Sequence, residues 1–104
     1  LTPAYILTAT AADELRDIIA YTYTRWGDHQ ASAYSAKLLN CMNAVATGHG
    51  TFRDMQALHP SLRMIRCARH YIFCLMREND PALIVALLHE RMDLMTRLAD
   101  RLGT

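Results

Sequence analysis

Residues 61–93 read SLRMIRCARHYIFCLMRENDPALIVALLHERMD, and this stretch leaves the rest of the chain little freedom. Three largely apolar runs, 62–67, 71–77 and 82–88, are separated by Ala68-Arg69-His70 and by Glu78-Asn79-Asp80-Pro81. Asn, Asp and Pro in succession favour a reversal, so the runs predict three consecutive antiparallel strands. The third, ALIVALL, is apolar at every position, as a strand covered on both faces would be. The first two alternate and carry arginines, which predicts one solvated face. Between Met55 and Arg77 there is no acidic residue, yet Arg63, Arg66, Arg69 and Arg77 all fall there. Alternation sets Arg63 and Arg66 on opposite faces, so these four cannot form one patch.

The flanking segments must pack on this meander. Residues 4–8 (AYILT) predict a short edge or neighbouring strand. Thr10 then predicts an N-cap, since Thr10-Ala11-Ala12-Asp13 is similar to a capping box, with Asp13 and Glu14 in the first turn. Ala11, Leu15, Ile18, Ile19, Thr22 and Trp26 recur at helical spacing, and Gly27 stops that helix. Asp28 is the expected cap of a second helix, striped by Ala31, Tyr34, Leu38, Cys41, Met42 and Val45 and closed by Thr47-Gly48-His49-Gly50. Residues 51–60 read as an irregular link. After His89, the spacing of Leu94, Met95, Leu98 and Leu102 predicts a short amphipathic helix, either docked on the sheet or loose until a target orders it. The expectation is one α+β domain over residues 1–104. It comprises an N-terminal strand, an antiparallel helix hairpin on one sheet face, a three-stranded antiparallel meander with its other face open, and a short C-terminal helix.

Composition narrows the chemistry. A net charge of +1 does not suggest nucleic-acid binding by itself. Ten of the eleven basic residues are arginine, however, which favours bidentate pairing with carboxylate or phosphate. No run approaches the length of a membrane span, and no basic-then-apolar leader opens the chain. Cys41, Cys67 and Cys74 are odd in number and lack CxxC spacing, so they read as reduced core thiols in the cytoplasm. The five histidines and three cysteines lack the close pairs of structural zinc sites, and no glycine-rich phosphate loop is present. No cofactor or metal is expected. His70 and His89, at strand ends beside apolar residues, read first as hydrogen-bonded structural residues, and Trp26 as a packing residue.

Leu62-Arg63, His70-Tyr71-Ile72-Phe73 and Leu88-His89-Glu90-Arg91-Met92-Asp93 resemble the signature of ParE-type toxins of the RelE/ParE toxin–antitoxin superfamily. Ala12, Asp13, Leu15, Ile18, Tyr21, Trp26-Gly27, Gln30-Ala31 and Tyr34 agree in order and spacing. The resemblance implies the same α+β architecture and a non-catalytic toxin that poisons DNA gyrase. It also implies a ParD-like antitoxin whose disordered tail folds on binding, so a hetero-oligomer is expected, without sequence-specific nucleic acid. On this reading Arg63, Arg66, Arg69, His70, His89, Arg91, Arg97 and Arg101 are expected at the target. Arg16, Tyr23, Arg25, Trp26 and Arg77 are expected at the antitoxin. Two departures stand out: Ala86 occupies a position commonly held by arginine, and Cys74 one commonly aromatic. The first permits an attenuated toxin that retains only antitoxin binding. A RelE-like ribosome-dependent endonuclease is the alternative, with His89 as base and Arg63 as phosphate clamp. Against it stand a single lysine, Lys37, and the absence of a tyrosine after Tyr71.

Overall fold

The computed structural model describes residues 3–103; Leu1, Thr2 and Thr104, the last position of the expected tail, lie outside them. The elements run β1 (Tyr5–Leu7), α1 (Ala9–Trp26), α2 (Asp28–Thr47), β2 (Arg53–Asp54), β3 (Leu62–Cys67), β4 (His70–Leu75), β5 (Ala82–His89) and α3 (Leu94–Leu102). Among the described residues they form one sheet in the order β1-β5-β4-β3-β2. The expected meander is β3-β4-β5, antiparallel throughout, with Cys67 facing His70 and His70 facing His89. β1 is an edge strand parallel to β5. The link at 51–60, expected to be irregular, contributes the two-residue β2 against β3.

Helix starts are set by tertiary contacts. Thr8, not Thr10, caps α1: its Oγ1 accepts from the Ala11 N–H at 3.1 Å. The reason lies in the sheet, because the Thr8 N–H donates to the Ile84 carbonyl at 3.1 Å and holds Thr8 in the extended backbone a cap requires. Asp13 and Glu14 consequently fall beyond the first turn. Gly27, at φ 90° and ψ 178°, ends α1 and serves as the cap of α2, so Asp28 is the first residue of α2 rather than its cap. That positive φ lets two long helices meet with a single residue between them.

The hairpin packs on one sheet face. Leu38, Met42 and Val45 of α2 are fully buried in a cluster with Ile65, Ile72, Ile84 and Leu87. α1 contributes less, with Ala11 fully buried and Leu15 and Ile18 at the margin. Trp26, expected to pack, is 64% exposed. It is the last residue of α1, beyond the part of the helix that Ala11, Leu15 and Ile18 seat in the core.

The second face is not open, contrary to expectation. A bulge in β5 sets Phe73 opposite Ala86 and Cys74 opposite Ile84, so Val85 is the extra residue. Val85 and Ala86 therefore both belong to the second face, with Leu62, Phe73 and Leu88. Leu98 of α3 completes this cluster, and Leu94 and Leu102 flank it. The α3 stripe is thus Leu94-Leu98-Leu102, and Met95 points outward, 58% exposed.

One further correction concerns the cysteines. Cys41 of α2 and Cys67 of β3 form a disulfide with Cα atoms 6.2 Å apart, an ordinary span. Only Cys74 remains a thiol, and burial pushes its pKa up to about 11. Cys41 and Cys67 are both inward-facing in their own elements. Nothing local says that α2 crosses β3 where the two meet.

Candidate functional site

A groove of about 650 Å³ opens where α1 passes the β3–β4 turn and the end of β5. Its wall is Ile18, Tyr21, Thr22 and Trp26; its floor is Tyr34, Ala68, Arg69, His70 and His89, with Asp17 and Gln30 at the rim. Tyr21 and Trp26 are largely exposed, and the Arg25 guanidinium lies 5.9 Å from the Trp26 ring centre. Exposed aromatics backed by arginine are the usual makings of a recognition anchor.

The floor is a hydrogen-bonded unit. The Tyr34 hydroxyl lies 2.7 Å from His70 Nδ1, and the rings of His70 and His89 meet edge to face at 5.2 Å. The same hydroxyl donates to the Cys67 carbonyl at 3.5 Å, and burial raises the Tyr34 pKa. Burial, then the neighbouring His89, lowers the His70 pKa below 6.5, opposed by Glu90. His70 is therefore mostly neutral at pH 7. His89 Nδ1 accepts from the Arg91 backbone N–H at 3.1 Å. Ala68 holds the tight turn at φ 55°, a left-handed conformation unusual for alanine, and so presents Arg69 and His70 side by side.

The residues expected at the target divide into three groups. Arg66, Arg69, His70, His89 and Arg91 gather at this end of the sheet. Glu90 lies among them, 2.6 Å from Arg66 and 3.7 Å from Arg69, and Arg66 also lies over the Tyr71 ring. Arg97 belongs to the short helix α3, away from the groove lining. Arg63 and Arg101 are engaged inside the fold. Arg63 sits over Phe52 at 4.5 Å and donates to the Val45 carbonyl at 3.2 Å. Arg63 faces Cys74 whereas His89 faces His70, four β4 residues away, roughly 13 Å along the strand. The base and clamp of the endonuclease alternative are thus not in one site.

Of the residues expected at the antitoxin, Trp26 lines the groove, with Arg25 beside it. Tyr23 is exposed nearby on α1, and Arg16 pairs with Asp13. Arg77 lies at the opposite end of β4, where it donates to the Pro81 carbonyl at 2.8 Å. Ala86, at the position where arginine was expected, is fully buried in the α3 cluster. Tyr34, Glu14 and Glu90 were missed. Tyr34 reads as core by its stripe position, and the signal for Glu14 is an acid three residues after Ala11 and four before Ile18, on the apolar stripe. Among the described residues no cluster of three or more His, Cys, Asp or Glu could hold a metal ion. No helix of the described residues is long and apolar enough to cross a membrane.

A helix hairpin on a mostly antiparallel sheet, with an open aromatic-walled groove at one end, defines a small α+β domain. A family profile described as the ParE toxin of the type II toxin–antitoxin system, parDE, matches residues 5–94. "Toxin ParE" of Escherichia coli is 60% identical over 99 residues, covering 95% of this chain and 96% of that protein. "Toxin ParE1" of Mycobacterium tuberculosis strain H37Rv is 29% identical over 89 residues, 86% of this chain and 91% of the relative. The chain belongs to the ParE toxin family of type II toxin–antitoxin systems, a membership that implies an antitoxin partner.

Proposed function

We propose that this toxin blocks DNA replication by binding and poisoning DNA gyrase, and that a ParD-like antitoxin neutralises it in the bacterial cytoplasm. The observation that carries this reading is the assembly of Arg66, Arg69, His70, His89 and Arg91 at one end of the sheet, beside the Trp26 groove, in a ParE family member. Five cationic or polar groups around one carboxylate suit a protein surface with matching charge. The groove takes an amphipathic segment of the antitoxin, whose apolar residues meet Tyr21 and Trp26 and whose acidic residues meet Arg25 and Arg69. Such a segment orders only on binding.

The test is a supercoiling assay with purified gyrase, run beside a translating extract. Inhibited supercoiling or trapped cleaved DNA, with intact message, is expected, and antitoxin should restore supercoiling. Site-specific cuts in ribosome-bound message with supercoiling unaffected would overturn the reading in favour of the endonuclease.

A further inference from the structure

We infer that Glu14 is a positioning residue: through Arg101 it fixes α3 on the sheet and so sets the surface that α3 presents to the target. The inference rests on the gyrase reading for its functional half, while its structural half stands independently.

The observation is a clasp around one edge of the sheet. β1 stops pairing at Leu7 opposite Ile84, and Val85 is the bulged residue that follows. Beyond that point the edge of β5 has no strand beside it. Its backbone groups are instead met by two side chains: Arg101 donates to the Val85 carbonyl at 3.1 Å, and Glu14 accepts from the Leu87 N–H at 3.0 Å. The two side chains also pair with each other, fork to fork, at 2.9 and 2.7 Å. Glu14 comes from α1 on the hairpin side and Arg101 from α3 on the other side, so the network ties both layers to β5. Its members are only about one-fifth exposed, which places this ion pair in a less screened setting than a surface pair.

α3 needs such a tie. Nine residues do not sustain a helix alone, and of its three inward leucines only Leu98 is fully buried. α1, by contrast, is already held by Ala11, Leu15 and Ile18 in the hairpin core. Losing the clasp therefore leaves α1 seated and frees α3. With α3 docked, Met95 is exposed on it, and the exposed Met92 leads into it. Undocking disperses that surface without touching the Tyr21–Trp26 groove. The family match ends at residue 94, so almost all of α3 lies outside it.

Three variants test this. Glu14→Gln keeps an acceptor for Leu87 but removes the carboxylate. Arg101→Lys keeps the charge and loses the fork. The double variant Glu14→Gln with Arg101→Lys alters both partners at once and measures the coupling between them. Loss of charge-assisted bonds predicts α3 amides exchanging with solvent roughly tenfold or more faster in the single variants, with α2 and β4 unchanged. Gyrase inhibition should fall about as much, antitoxin affinity should stay within roughly threefold, and the double variant should lose little more than the worse single variant, because both act on one pair. Unchanged α3 exchange in Glu14→Gln, or full inhibition despite a loosened α3, overturns the inference. Loss of protection throughout the chain also overturns it, since Glu14 would then belong to the common core. If the wild-type protein itself leaves gyrase untouched, the functional reading fails, and the exchange data alone still decide whether the clasp holds α3.

Discussion

On the hairpin side of the sheet, α2 alone sends Leu38, Met42 and Val45, all fully buried, into one cluster with three β-strands. On the other side, α3 sends only Leu98 to full burial and relies on an ion pair for the rest. Each fully buried aliphatic side chain contributes about 1.5–3 kcal/mol, so the hairpin side is secured several times over. A short helix with one such anchor has low local stability. On the proposed reading the difference separates two jobs. The groove side keeps its shape under perturbation, whereas the α3 side is a surface that single changes can dismantle.

The most severe way to break this contrast is to end the chain after Asp93. Complete loss of gyrase inhibition is expected, with antitoxin affinity falling less than about tenfold, as a groove built without α3 requires. Titration calorimetry and circular dichroism check it. A truncated protein that still inhibits gyrase removes α3 from the mechanism, and an unfolded one makes α3 part of the shared core.

Cavity formation on each side comes next. Leu38→Ala should cost about 3–4 kcal/mol in denaturant unfolding, and Leu98→Ala about 2 kcal/mol, because α3 can lift away instead of enclosing a void. Equal costs would erase the distinction between the faces.

Trp26→Ala sharpens the comparison from the other direction. Its ring is mostly in solvent, so stability should move by less than about 0.5 kcal/mol. Affinity for the antitoxin should nonetheless drop about tenfold to a hundredfold, as expected of an aromatic anchor. Unaltered affinity would place the antitoxin elsewhere.

The smallest effect is set by pH. His70 has a folded pKa below its ordinary 6.5, with burial the leading cause. Its contribution to stability is complete above about 6.5 and is lost as pH falls through the lowered folded value, because the unfolded chain takes up the proton first. Between about pH 7 and 5 the Tm should therefore fall more for the wild type than for His70→Asn. Identical slopes would assign the acid sensitivity to another group.

The sequence by itself determined the main elements and most of their inward faces, with β2, Trp26 and Met95 the exceptions. A period of two sets Tyr71 and Phe73 on one face and Ile72 and Cys74 on the other, as the two clusters have them, and the α2 stripe through Leu38, Met42 and Val45 is the stripe that packs. These follow from periods of two and 3.6 residues, which are properties of local geometry. What periodicity could not reach are choices between locally equivalent residues. Thr8 and Thr10 are equally good caps until the Ile84 carbonyl holds Thr8 extended. Cys41 and Cys67 are two inward thiols until α2 crosses β3. Arg101 reads as a surface charge like Arg97 until the Val85 bulge turns β5 and Glu14 arrives from 87 residues away. Each choice depends on which distant backbone group comes within hydrogen-bonding or bonding range. Only the packed chain decides that.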